Sequence, residues 1–190
     1  APSDGEYISG TYLLRASGSD ELSGVDTYTF RCVGSFICEL DYPTNVYEWD
    51  TTAETDGIKM LSLDVKDKAG NSGGDTINVR VDNSPPWNSY VPIPTPVVEP
   101  NIYIYGETGD FMCPIDKVEY SYRINDNDMS EWHEVDYVSG EGEDYVYWKI
   151  PLSGLQNEDM VIVLIRSWDK AGNCQDENDY LRIVFPVVYV

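Results

Sequence analysis

Thirty-four acidic side chains stand against twelve basic ones in this 190-residue chain, and the acids that cluster are the first candidates for chemistry. Hard cations collect carboxylate and carbonyl oxygens. Two copies of Asp-Lys-Ala-Gly-Asn, residues 67–71 and 169–173, set a carboxylate at a turn. Asn125-Asp126-Asn127-Asp128, followed by Glu131, makes a third cluster. Asp67, Asp169, Asp126 and Asp128 are therefore the candidate Ca2+ ligands. A Ca2+ ion wants six or more oxygens, however, and one short loop rarely provides them. Gly and Asn accept positive φ and Asp caps a turn, which gives the repeated loops a structural role instead. The third cluster lacks the Gly and the closing Glu of an EF-hand loop and reads as a polar hairpin tip.

No catalytic constellation emerges. His133 is the only histidine, and beside Trp132 in an alternating segment it is expected to face solvent. No nucleophile elbow and no Gly-rich phosphate loop accompany it. The expectation is a non-enzyme without a cofactor other than Ca2+. Four cysteines permit three pairings. Domain-local pairing, Cys32 with Cys38 and Cys113 with Cys174, uses all of them and predicts an oxidising compartment. Zinc is disfavoured, since neither C-x2-C pairs nor further histidines are present.

The net charge of −22 repels nucleic acid and anionic membrane surfaces. No apolar run approaches the ~20 residues that cross a bilayer. The chain begins at Ala1 without an initiator Met or a signal peptide, as expected either of a processed mature form or of a piece trimmed from a longer chain. An extracellular or cell-surface location is expected.

The elements that hold these loops are strands. Leu61, Leu63, Val65 before the first Asp-Lys-Ala-Gly-Asn and Ile77, Val79, Val81 after it alternate with polar residues; Val163, Ile165 and Leu181, Ile183, Phe185 do the same around the second. Period two on both sides of a Gly-Asn turn predicts a β-hairpin near the end of a sandwich domain. Upstream, 12–16 then 24–30 match 102–105 then 115–122, and a Trp follows in each copy, Trp49 and Trp132, as a core aromatic. Trp87, Tyr90 and Trp148 are left freer, as candidates for a sugar-binding platform. Short strands, frequent turns and no helical period predict an all-β chain of two tandem immunoglobulin-like sandwiches. The boundary falls at Asn83-Ser84-Pro85-Pro86, where Pro-Pro stiffens a short link. The first domain spans 1–83 and the second 84–190, the latter opening on a Pro-rich first strand.

Asp-Lys-Ala-Gly-Asn, a strand ending Val81-Asp82-Asn83 before Pro-Pro, Trp49-Asp50-Thr51-Thr52, Asp56-Gly57 and Ser9-Gly10-Thr11 together resemble the bacterial and archaeal Ig-like repeats of secreted surface proteins and adhesins. The resemblance covers nearly the whole chain. It implies display, spacing and adhesion rather than catalysis, with other surface proteins or glycans as partners.

The two copies are unequal. The second has upstream residues for a first strand, whereas the first begins almost at its second strand. A sandwich short of a strand leaves an open edge, here expected along Tyr12, Leu13 and Leu14. At the other end Val187, Val188, Tyr189 and Val190 form an apolar tail beyond the expected last strand. One copy's tail filling the next copy's edge would be strand addition between chains, and a head-to-tail contact of that kind builds a filament. The alternatives are an adhesive, ligand-binding or calcium-stabilised spacer module excised from a larger surface protein, its first strand lost at the cut, or a first strand supplied locally by residues 1–8.

Overall fold

Period-two patterns become strands, and Gly-, Pro- and Asn-rich segments end them. The computed structural model describes residues 2–188, and the chain divides into two units, Ala1–Asn83 and Ser84–Val190.

The first unit contains β1 (Tyr7–Ile8), β2 (Thr11–Arg15), β3 (Val25–Cys32), β4 (Ser35–Asp41), β5 (Val46–Asp50), β6 (Gly57–Asp67) and β7 (Ser72–Val81). One layer is the sheet β1-β7-β6-β3-β4; the other is β2 and β5 alone. β1 runs parallel to the end of β7, while the remaining pairs are antiparallel. Ile8, Leu14, Phe30, Trp49, Leu61, Val79 and Val81 fill the space between the layers.

The second unit contains β8 (Trp87–Tyr90), β9 (Ile102–Gly109), β10 (Ile115–Ile124), β11 (His133–Glu134), β12 (Asp136–Ser139), β13 (Tyr145–Leu152), β14 (Met160–Asp169) and β15 (Leu181–Pro186). Its layers are β11-β10-β14-β15 and β12-β13-β9-β8. Every second residue of β14 from Val161 to Asp169 is buried, which is what period-two patterning produces when one face meets a core. Each unit is thus a two-layer β-sandwich, and the described residues contain no α-helix.

The tryptophans correct two expectations: Trp148, read as free for a ligand, belongs to the core, and Trp132, read as core, does not. Trp49 on β5 stands opposite Tyr12 of β2, and its counterpart on β13 is Trp148, opposite Gly106 of β9. Trp148 is completely buried. A β-carbon at position 106 would overlap the Trp148 ring, so the missing side chain makes room for the indole. The indole Nε1 donates to Thr108 Oγ1 at 2.9 Å, and that hydroxyl donates to Asn88 Oδ1 at 2.5 Å, leaving no buried donor on the ring unmatched. Trp132, expected in the core, lies half-buried just before the two-residue β11, with the Arg166 guanidinium 3.8 Å from its ring centroid. A residue outside a long ladder is not bound to the ladder's in-out alternation.

Candidate functional site

Both Asp-Lys-Ala-Gly-Asn segments close into the same turn. Asp67 N–H donates to Asn71 C=O at 3.0 Å and Gly70 N–H to Asp67 C=O at 3.1 Å; the second copy repeats these bonds between Asp169, Asn173 and Gly172 at 3.2 and 3.1 Å. Gly70 and Gly172 both sit at φ +92°, where a β-carbon is strained. Asp67 Oδ1 accepts the Asn71 N–H (2.8 Å) and its Oδ2 accepts Asn71 Nδ2 (2.7 Å). Asp169 does the same with Asn173 at 2.9 and 2.8 Å. Each carboxylate is thus already engaged by the Asn four residues on. The settings differ electrostatically: the Asn71 side chain holds the Asp67 carboxyl below the usual range, whereas burial pushes Asp169 above it despite the matching bonds.

Within the second unit the candidate Ca2+ ligands lie in separate places. Asp67 belongs to the first unit. In the second, Asp126 and Asp128 lie exposed in the loop after β10, where Asn125 N–H donates to Met160 C=O at 2.7 Å. Asp169 ends the other side of β14, about 30 Å away at the usual rise of a strand. His133 is exposed, its ring 5.5 Å from that of Tyr120.

The cysteine pairing is a correction: all four residues are thiols, and no two stand at disulfide distance. Cys32 and Cys38 are both buried, but the β3–β4 hairpin turns at Val33 and Gly34, so Cys32 faces Ser35 and Cys38 faces Phe30. Such diagonal positions are roughly 7 Å apart, whereas bridged β-carbons are about 4 Å apart. Cys113 is buried in the loop before β10, its N–H donating to Asp110 Oδ1 at 2.9 Å. Cys174 is tied instead to Trp168 by a β-bridge. Burial raises the thiol pKa of Cys32, Cys38 and Cys174. The oxidising compartment inferred from pairing loses that support.

The described part of the apolar tail packs within its own unit. Val187 is completely buried within the second unit's own core. Its N–H donates to Asp159 C=O at 2.8 Å, its C=O accepts from Glu158 N–H at 2.8 Å, and Val188 N–H donates to Val97 C=O at 2.9 Å. Val187 and Val188 thus make backbone bonds to Asp159, Glu158 and Val97 of their own unit. Tyr189 and Val190 lie outside the described residues.

The edge of β2 is open. Ala16 N–H donates to Asn45 C=O and Thr51 N–H to Gly10 C=O, both at 2.8 Å. Bonding alternates along an antiparallel pair, so Tyr12 and Leu14 bond β5 while Thr11 and Leu13 aim their N–H and C=O the other way. Among the described residues no strand other than β5 pairs with β2. The predicted edge therefore divides by parity: Leu14 is buried and Tyr12 half-buried, its hydroxyl donating to Glu6 Oε1 at 2.8 Å, while Leu13 is exposed. Beside β2 runs a groove of about 190 Å3 lined by Phe30, Leu61, Leu63 and Ile77, with Arg15 and Asp75 at its rim. Here two strands face a layer of five. In the second unit β8 lies along β9 in the corresponding place, and Tyr90 and Ile93 pack against the core.

Among the described residues 2–8 ahead of β2 the one strand is the short β1, which pairs with Arg80 and Val81 of β7 and not with β2. Sequence reading named Trp87, Tyr90 and Trp148 as the freer aromatics and did not single out the tyrosines on the outer faces of β9 and β13. Their signal was present in Tyr103, Tyr105 and Tyr145, Tyr147, which alternate with buried Ile104, Gly106, Val146 and Trp148.

No family model and no curated protein matches the chain. Among solved structures it is similar to the fibronectin(III)-like modules of CbhA from Clostridium thermocellum, at 12% identity over 100% of this chain and 92% of that one, with a TM-score of 0.53. The fold is a tandem of immunoglobulin-like sandwiches. More distant are the FN1-FN3 domains of chicken CNTN1, at 10% identity over 96% and 66% of the two chains with a TM-score of 0.44. Dpr2 Ig1-Ig2, solved in complex with DIP-Theta Ig1-Ig3, matches at 10% identity over 99% and 62% with a TM-score of 0.34. At 12% identity the likeness to the CbhA modules establishes fold alone. No helix among the described residues is long and apolar enough to cross a membrane.

Proposed function

We propose that this chain is a non-catalytic structural module of an extracellular surface assembly, joined to its neighbour by strand addition along β2. The observation that carries the reading is the open edge at Thr11 and Leu13 beside the apolar groove. An added strand would satisfy the outward backbone groups and cover Leu63 and Ile77, which are only partly buried. Main-chain bonds supply affinity in such contacts, and alternate side chains in a groove supply register. A second copy of the chain is the first candidate donor. The acidic surface, with its net charge of −22, suits a protein kept soluble outside the cell and repels nucleic acid. Burial raises the thiol pKa of Cys32, Cys38 and Cys174, the reverse of what activates a cysteine nucleophile.

Leu13→Pro tests this, because it removes an N–H that the β2–β5 ladder does not use, and proline is tolerated at sheet edges. Parent and variant are compared by sedimentation velocity and electron microscopy over a concentration series. The parent is expected to assemble and the folded variant to remain monomeric. Equal assembly by the two, or a parent that stays monomeric throughout, overturns the reading.

A further inference from the structure

The outer face of β12-β13-β9-β8 carries aromatic residues that the sandwich does not need for its core. Cross-strand register places Trp87, Gly109 and Tyr145 in one row and Ser89, Glu107, Tyr147 and Ser139 in the next. Tyr105 faces Lys149 in a third row, and Tyr103 faces Pro151 in a fourth. Residues directly opposite in a sheet share a face, so four tyrosines and a tryptophan line one surface. On the opposite face of the same strands Ile104, Val146, Trp148 and Ile150 are completely buried. Tyr103, Tyr105 and Tyr147, by contrast, are 54%, 49% and 48% exposed.

This surface is concave and chemically mixed. A groove of about 540 Å3 has Tyr90, Tyr105, Tyr147 and Val138 as apolar lining and Ser89 and Glu107 as polar lining. The rings brace one another: Trp87 meets Tyr145 edge-on at 5.5 Å between centroids, and Tyr145 meets Tyr147 edge-on at 5.1 Å. Lys149 Nζ lies 4.9 Å from the Tyr103 centroid, so the one cation in these rows rests over an aromatic ring.

Three ligand classes compete for such a groove. An anionic polymer is opposed by Glu107 and by the chain's net charge of −22. A lipid or aliphatic surface has no use for Ser89 and a carboxylate between tyrosine rings. A neutral sugar chain matches both features, since each pyranose has apolar C–H faces that lie against aromatic rings and a rim of hydroxyls that donate to carboxylate oxygens. Alternate residues advance about 6.6 Å along a strand, a step comparable to one sugar ring. We propose that this face binds an uncharged polysaccharide, with Tyr105 and Tyr147 stacking on sugar rings and Glu107 accepting hydroxyl hydrogen bonds. The site lies wholly in the second unit and requires neither β2 nor assembly.

The test uses the full chain on an array of neutral and acidic glycans, then calorimetric titration with cellohexaose, xylohexaose and mannohexaose, with hexagalacturonate as the charged comparison. At least one neutral probe is expected to bind. The double variant Tyr105→Ala/Tyr147→Ala should weaken that binding about tenfold or more, the order expected for losing two aromatic contacts. Phe36→Ala, an exposed aromatic in the other unit, should leave it unchanged, as should Leu13→Pro. Should the double variant misfold by near-ultraviolet circular dichroism, ring chemical shifts of Tyr105 and Tyr147 in the parent decide the matter, moving with added sugar and not with buffer. Absence of neutral-glycan binding up to millimolar probe overturns the proposal. So does unchanged binding by the folded double variant, unmoved Tyr105 and Tyr147 resonances, or equal or tighter binding of hexagalacturonate.

Discussion

Val187→Ala separates a tail that completes its own sandwich from one that waits for another copy. Val187 is fully buried, so removing two methyl groups forfeits about 0.8 kcal/mol each in transfer and adds a small cavity term, about 2 kcal/mol in all. At a urea m-value of about 1.5 kcal/mol/M, the second unit's midpoint should fall by about 1.3 M. Cutting the chain after Pro186 also removes the three backbone bonds to Asp159, Glu158 and Val97, at about 1 kcal/mol each. With the whole Val side chain lost as well, the total of about 5 kcal/mol rivals the stability of a small domain. Truncation should therefore unfold the second unit rather than release a sound monomer, and loss of assembly on truncation would identify no donor strand. The assay is urea unfolding followed by tryptophan fluorescence, because Trp87, Trp132, Trp148 and Trp168 lie in the second unit and Trp49 alone in the first. A midpoint unmoved by Val187→Ala refutes the reasoning and returns the tail to the role of donor.

The repeated turn should titrate in opposite senses in its two copies. Asp67, held low by its bond from the Asn71 side chain, contributes stability that is present above its unfolded pKa of about 3.9 and lost as pH falls through the lower folded value. Asp169, raised by burial, contributes stability that is full below that unfolded value and lost as pH rises through the higher folded one. Carboxyl 13C titration should put the Asp67 midpoint below the ordinary value and the Asp169 midpoint above it; shifts in the same direction contradict the two environments. Dithiothreitol should leave both unfolding midpoints where they are, since no disulfide constrains either unit. A drop with reductant would show that a bridge forms after all.

The features readable from the sequence are those whose partners lie close along the chain. Asp67 and Asn71 are four residues apart, as are Asp169 and Asn173, so the turn could be read as a turn from the motif alone. Alternation in 61–65 and 163–165 reported strands because each residue's face follows from its neighbour's. The unequal lengths ahead of the two Ser-Gly-Thr and Ile-Tyr-Ile-Tyr segments likewise drew attention to Tyr12, Leu13 and Leu14. Identities across strands were another matter. Trp132 and Trp148 could be ranked as core or surface only once β13 had found β9 and placed Trp148 over Gly106. Cys32 and Cys38 looked bridged until the hairpin register set them diagonally, and Val187 looked spare until it met Val97.

The groove framed by Tyr105, Tyr147 and Glu107 belongs to the same class. Period two put those side chains on an outward face, but register between strands far apart in the chain brought them together. A strand's own residues decide which way each side chain points, because backbone geometry is local. What stands beside that side chain is decided by pairing, which no single strand contains.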